Sequence, residues 1–318
     1  MRDTYRVIEA VILIEGERID MTSEKEKPFE APVNIVPGAK QKPRMDVTRA
    51  KILLYGPPKI GKSTFASRFP GAWFLATEEG LDWLEVHPPT QIRSWDEFLE
   101  VCAYIEEHKP KVFGDGTPIR TIVIDTGELL FKMCHDYICT TLGVSSMSDL
   151  DWGKGWSALA DEFQRVMAKI SRWPYGFIFV CHSKELTIKS KAASVDRIQP
   201  AIMTTGYRVI HALCDIILYA YMDEIPELDP ETKEVTGRII EERVLQCQPK
   251  NNLVAGDRTG RLPKQIPLDY DELIRYFPET DVLSDDEELA AVEQAEETET
   301  EVEVPEEGSP ASEEKKDA

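Results

Sequence analysis

Two kinds of apolar pattern alternate along the chain from about residue 50. Short unbroken apolar runs occur at 51–55 (KILLY), 72–77 (AWFLAT), 121–126 (TIVIDT) and 177–182 (FIFVCH). Their length and continuity suit strands buried on both faces. Between them the period changes to that of a helix. WDEFLEVCAYIEEH (95–108) sets Phe98, Leu99, Cys102 and Ile105 on one face, and the segment after 126 predicts a helix to about Leu142. SALADEFQRVMAKISRW (157–173) lines up Leu159, Phe163, Val166, Met167 and Ile170 as one stripe. This alternation predicts an α/β fold, a mostly parallel sheet with helices on both faces. Farther along, CDIILYAYMD (214–223) and RIIEERVLQCQ (238–248) flank the turn-rich DPETKEVTG. They predict a C-terminal antiparallel hairpin extending the sheet, and DYDELIRYF (269–277) predicts a short closing helix.

Charge divides the chain more sharply than apolar content does. The net charge is −21 over 318 residues, yet residues 279–318 hold 17 acids against two bases, a net of −15. The expected organisation is therefore an N-terminal strand-like segment and linker at 1–47, a core at 48–278, and a disordered acidic tail at 279–318. No apolar run approaches the roughly 18–20 residues of a membrane span, and the acids within MRDTYRVIEAVILIEGERID argue against a signal peptide. The expected location is the cytoplasm. Six cysteines without C-x-x-C or zinc spacing are expected to be buried thiols.

The first run leads into GPPKIGKST, which meets the phosphate-loop pattern G-x-x-x-x-G-K-[ST] at Gly56, Gly61, Lys62 and Ser63. Glycines let the backbone of the loop (Gly56, Pro57, Pro58, Lys59, Ile60, Gly61, then Lys62, Ser63 and Thr64) curl so that its N–H groups, which the two prolines lack, point inward at phosphate oxygens. Lys62 sets a point charge against the β- and γ-phosphates, and the Ser63 hydroxyl completes a Mg²⁺ shell. With a strand before the loop and a helix after it, the expected cofactors are ATP and Mg²⁺.

In open parallel sheets the ligand sits at the carboxyl ends of the strands, so the ends of the other runs name the remaining chemistry. Asp125 is the acid expected to hold Mg²⁺ through a water. It is followed by Thr126 and not by a second acid, which argues against helicases and AAA+ machines. Glu78 or Glu79 would polarise the attacking water, with Glu78 the assigned base, and His182 would report the γ-phosphate. The set Glu78, Asp125 and His182 around this loop resembles the RecA-like recombinase core over about residues 48–278. The stretch ILLYGPPKIGKST with the histidine is closer still to a phage family of nucleotide-binding, AAA-type proteins that includes the Sak-type single-strand annealing proteins.

That resemblance implies a DNA-stimulated ATPase that binds or anneals single-stranded DNA in recombination or replication. It implies an oligomer, ring or filament, with ATP at subunit interfaces, where Lys250 in CQPKNN would reach a neighbour's nucleotide. In MTTGYRVIHALCDIILYAY (203–221) a Thr-Gly pair would close a DNA-binding loop. Segment 183–208, carrying Lys184, Lys189, Lys191 and Arg197, suits a mobile loop gripping phosphates. Trp152 and Lys154 in DWGKGW offer a base-stacking platform, with Trp152 and Trp156 equally suited to anchor the core. The acidic tail would restrain DNA binding or dock a single-strand-binding or replication partner. Two other readings stand beside this one: a P-loop small-molecule or nucleotide kinase, and a non-catalytic ATP-binding subunit.

Overall fold

The computed structural model describes residues 46–278 apart from 151–152, 190–193, 229–231, 233–234 and 251. The expectations for 1–45, Trp152, Lys191 and the acidic tail lie outside the described residues. Among the described residues ten strands and six α-helices follow in the order β1 Lys51–Gly56, α1 Lys62–Ala66, β2 Ala72–Ala76, β3 Thr90–Gln91, α2 Trp95–His108, β4 Thr121–Asp125, α3 Gly127–Leu142 and α4 Lys154–Ile170. Then come β5 Gly176–Lys189, β6 Ser194–Pro200, α5 Thr204–Leu213, β7 Ile216–Leu228, β8 Val235–Gln246, β9 Gly256–Asp257, β10 Gln265–Pro267 and α6 Tyr270–Ile274.

The main sheet runs β10-β8-β7-β1-β5-β4-β2-β3, parallel from β7 to β3 and antiparallel at β7–β8 and β8–β10. This is the α/β architecture that the alternating runs predict. Each central strand divides its side chains between two cores by the period of two. Leu53, Tyr55, Phe177, Phe179, Ile122 and Ile124 face α2, α3, α4 and α5. Ile52, Leu54, Ile178, Val180 and Val123 face α1 and α6. All five stripe residues of α4 are buried, as are all six cysteines. Among the described residues no helix is long and apolar enough to cross a membrane.

The loop expected over 183–208 is not a loop. β5 continues past His182 as far as Lys189 and pairs antiparallel with β6, with Ser183 opposite Pro200 and Leu186 opposite Arg197. The strand signal there is an alternation (KELTIK, SVDRIQP) diluted by charge, which reads as a solvated loop. The Thr-Gly pair closes no loop either: Thr205 and Gly206 lie inside α5. A Cβ on Gly206 would come 2.4 Å from the Phe131 ring, so the glycine there lets α5 approach α3. α4 begins at Lys154, earlier than the apolar stripe suggests, which sets Trp156 in its first turn, partly buried against the core.

Candidate nucleotide-binding site

β1, β2, β4 and β5 are parallel, so their carboxyl ends open on one side of the sheet. There a cleft of about 620 Å³ is lined by loop residues Pro58, Lys59, Gly61, Lys62, Ser63 and Thr64, by Glu78 and Glu79 after β2, by Asp125, and by His182. Nine of the sequence-predicted residues, and Glu79 as the alternative to Glu78, therefore meet in one space. Three loop residues do not line it with side chains. Ile60 is buried under α1 in the core, Pro57 contributes its carbonyl to Lys62, and Gly56 packs against β7.

Gly61 caps the amino end of α1 at φ 111°, a conformation that favours glycine. The bend aims the start of the helix, with its positive dipole end, at the cleft. Lys62 is not on an exposed loop. It is only 6% exposed, and its Nζ donates to the carbonyls of Gly56 at 3.1 Å and Pro57 at 2.9 Å. Burial pushes its pKa down, partly opposed by the nearby carboxylates of Asp125 and Glu128.

The Ser63 hydroxyl donates to Asp125 Oδ2 at 2.6 Å. Burial raises the Asp125 carboxyl above its usual range, against the lowering effects of Ser63 and Lys62. A buried carboxylate beside a hydroxyl is a hard-oxygen pair of the kind Mg²⁺ takes while keeping most of its shell for water and phosphate. Among the described residues no three His, Cys, Asp or Glu side chains group as a complete metal site.

Thr77 ties the ends of β2 and β4 together. Its main-chain N–H donates to Asp125 O at 2.7 Å, its hydroxyl accepts from Thr126 N at 2.7 Å, and the same hydroxyl donates to Thr126 O at 3.1 Å. The next residue, Glu78, is thereby held over Asp125. The Glu78 carboxyl is raised first by desolvation and then by Asp125, with His182 and Lys62 opposing. A poised carboxyl facing a metal site is what a general base requires.

Three features were not legible from the motifs. Glu128, in the first turn of α3, accepts from His182 Nδ1 at 2.6 Å. Trp83, also lining the cleft, is 95% exposed. Arg243 on β8 brings Nη1 to 3.6 Å from where a Cβ on Gly61 would sit. None of the three lies in a strand-end motif, and the register between β8 and the loop cannot be read from one sequence.

The residues assigned to DNA and to a neighbouring subunit lie elsewhere. Lys184 Nζ donates to Ile202 O at 2.7 Å, so it closes the base of the β5–β6 hairpin. Lys189 is the last residue of β5, and Arg197 is exposed on β6. Lys154 is exposed at the start of α4. Lys250 lies over the Tyr221 ring of its own chain, 5.5 Å from the centroid and 3.3 Å from the hydroxyl.

A curated relative, the SPbeta prophage-derived uncharacterized protein YorG of Bacillus subtilis (strain 168), is 24% identical over 135 residues. The match takes in 42% of this chain and 41% of that protein, so the chain spans under half the length of this relative. Among solved structures, the KaiC-like protein PH0186 of Pyrococcus horikoshii OT3 aligns over 61% of this chain and 84% of that one, at 10% identity and a TM-score of 0.32. The fold assignment rests on the strand order described above. A family described as "AAA domain" (AAA_24) matches residues 48–259, even though Thr126 stands where the sequence reading expected such machines to carry a second acid. That match takes in about two-thirds of the 318 residues, and the chain belongs to this AAA-domain family of P-loop ATPases.

Proposed function

We propose that the protein is a Mg²⁺-dependent ATPase that acts on single-stranded DNA. The observation that carries the ATPase reading is the convergence of Lys62, Ser63, Glu78, Asp125 and His182, from four strand ends, on one cleft. In this reading Lys62 leaves the carbonyls of Gly56 and Pro57 for the β- and γ-phosphates, and the main-chain N–H groups from Lys59 to Thr64 cradle them. Ser63 and Asp125 would hold the ion, which when bound would neutralise charge building on the phosphate oxygens. Glu78 orients a water and takes its proton. His182 faces the terminal phosphate from β5.

The DNA reading is supported by two β-hairpins that leave the sheet at the cleft end, one from β5 and one from β7. Lys189 of β5 and Arg197 of β6, with Lys191 between them in sequence, make a charge set suited to a phosphate backbone. Lys250 as a residue acting on a neighbour's nucleotide belongs to the same reading, with ATP at interfaces of a ring or filament. So does a tail of net charge −15 competing with DNA phosphates for these cations.

The deciding experiment measures phosphate release from ATP and Mg²⁺ with and without single-stranded DNA, beside an annealing assay. Turnover to free phosphate that rises with DNA is the expected result. Phosphate passed to an acceptor in place of water would support the kinase reading and end this one. Removing residues 278–318 is expected to tighten single-strand binding most at low salt, where the roughly 8 Å Debye length of physiological solution is exceeded. Equal affinities at low salt would end the competition reading.

A further inference from the structure

We propose that Glu128 is the positioning residue of His182, fixing which nitrogen of the ring serves the nucleotide and tying that ring to the point where β5 leaves the sheet. This rests on the reading of His182 as the residue facing the terminal phosphate. One oxygen, Glu128 Oε1, accepts twice from the same residue: from His182 Nδ1 at 2.6 Å and from the His182 main-chain N–H at 3.0 Å. An oxygen that already accepts a main-chain N–H is an acceptor, so Nδ1 carries the proton and Nε2 alone remains for the cleft. The second contact falls on the last residue of β5 that pairs with β1; the next, Ser183, begins the pairing with β6.

The local structure is built for this approach. Gly127 immediately precedes Glu128, and a Cβ there would come 3.0 Å from Cys181 Sγ, so the first turn of α3 rides directly on the end of β5. Glu128 Oε2 is buried, and the Glu128 side chain also meets the Cys181 thiol. A largely buried carboxylate is costly compared with an apolar residue of similar size. Packing alone gives no reason for it, whereas orientation of an imidazole does. A change in what Nε2 meets in the cleft is therefore felt at a carboxylate that also holds the root of the β5–β6 hairpin.

The test compares Glu128→Ala, Glu128→Gln, His182→Ala and the double variant E128A/H182A in full-length protein, with thermal melts to confirm folding. Each is measured for kcat and for its affinity for ATP and ADP. Glu128→Ala is expected to lose about 10- to 100-fold in kcat, the range for carboxylates that orient a metal-bound histidine. Its ATP-over-ADP preference should fall to that of His182→Ala. Glu128→Gln keeps an amide oxygen able to accept both N–H groups and should recover most of the rate. The double variant should be no worse than His182→Ala, since both changes remove one device. In ¹⁵N-histidine spectra the His182 proton should leave Nδ1 in Glu128→Ala.

Additive losses in the double variant would overturn the proposal, because Glu128 would then act independently. So would wild-type kcat and ATP preference in Glu128→Ala. If His182→Ala itself hydrolyses ATP normally, the sensor reading fails and takes this inference with it. An impaired His182→Ala beside a normal Glu128→Ala ends only the inference.

Discussion

β5 is one continuous strand with two different lives. From Phe177 to Cys181 every residue is buried, paired in parallel with β1 on one side and, as far as Val180, with β4 on the other. From Ser183 it pairs only with β6, antiparallel, and Glu185, Leu186 and Thr187 are exposed. β7 repeats the pattern. Ile216 to Tyr219 are buried beside β1, while beyond Tyr221 the strand pairs with β8 alone and Met222, Ile239 and Ile240 are exposed. The inner halves are specified by burial on two faces. The outer halves are specified by ladder hydrogen bonds and alternation, which hold a ribbon without fixing where it points. His182, which faces the nucleotide cleft, stands at the boundary of β5, and three of the charges assigned to DNA, Lys184, Lys189 and Arg197, stand on its outer half or on β6.

Lys62→Ala cuts deepest into the inner region. It should abolish ATP binding and turnover while the melting curve stays cooperative, because the lost side chain bonds only two loop carbonyls. Normal turnover in this variant would place the chemistry outside the cleft. Glu78→Gln should keep ATP affinity and lose about 10²- to 10⁴-fold in rate, the range for one general base. Its neighbour is the control: if Glu79→Gln carries the loss instead, the base stands one residue farther along.

The outer region responds to a different measurement. Replacing Lys189, Lys191 and Arg197 together with glutamine should weaken single-strand binding and leave DNA-free ATPase intact. The slope of log affinity against log salt should become shallower by about 2, at ~0.7 per phosphate contact. An unchanged slope would move the DNA site to another surface, with the start of α4 at Lys154 next in line.

The smallest expected effect is one of stability. Burial raises the Asp125 carboxyl, and a carboxyl with a raised folded value stabilises the fold below its unfolded pKa. That contribution is lost as pH climbs through the folded value. At neutral pH ionised Asp125 therefore costs stability when no cation is present. Asp125→Asn should raise Tm by roughly 2–4 °C, as about 1 kcal/mol does for a core of this size, and the gap should close as pH is lowered. A lower Tm at pH 7 would mean that the Ser63 hydrogen bond outweighs the burial.

The inner region was also the legible one. Buried parallel strands write themselves as unbroken apolar runs, so β1, β2, β4 and the first half of β5 could be read directly, and the residues at their ends followed from topology. The hairpin of β5 and β6 was misread as a loop because alternation interrupted by Lys184, Glu185, Asp196 and Arg197 resembles solvated chain. Glu128 was invisible for another reason. It stands three residues beyond Asp125, inside a helix where an acid near the amino end is ordinary, and only the approach of α3 to β5 pairs it with a residue 54 positions away. The Thr-Gly pair was read as punctuation when Gly206 is a notch for Phe131, a distinction that depends on a helix the local sequence does not name.

Gly56 opens the phosphate loop, yet its constraint comes from the opposite direction. A Cβ at that position would stand 2.3 Å from the carbonyl oxygen of Ala220, a main-chain atom of β7 that cannot turn aside. An alanine there would wedge apart β1 and β7 at the seam from which the second hairpin grows, before any phosphate is encountered. The two glycines of the signature thus answer to different masters: Gly61 to the turn that aims α1, Gly56 to the neighbouring strand. Inherited variation at the first should track changes in ligand, and at the second should appear only with compensating retreat of β7.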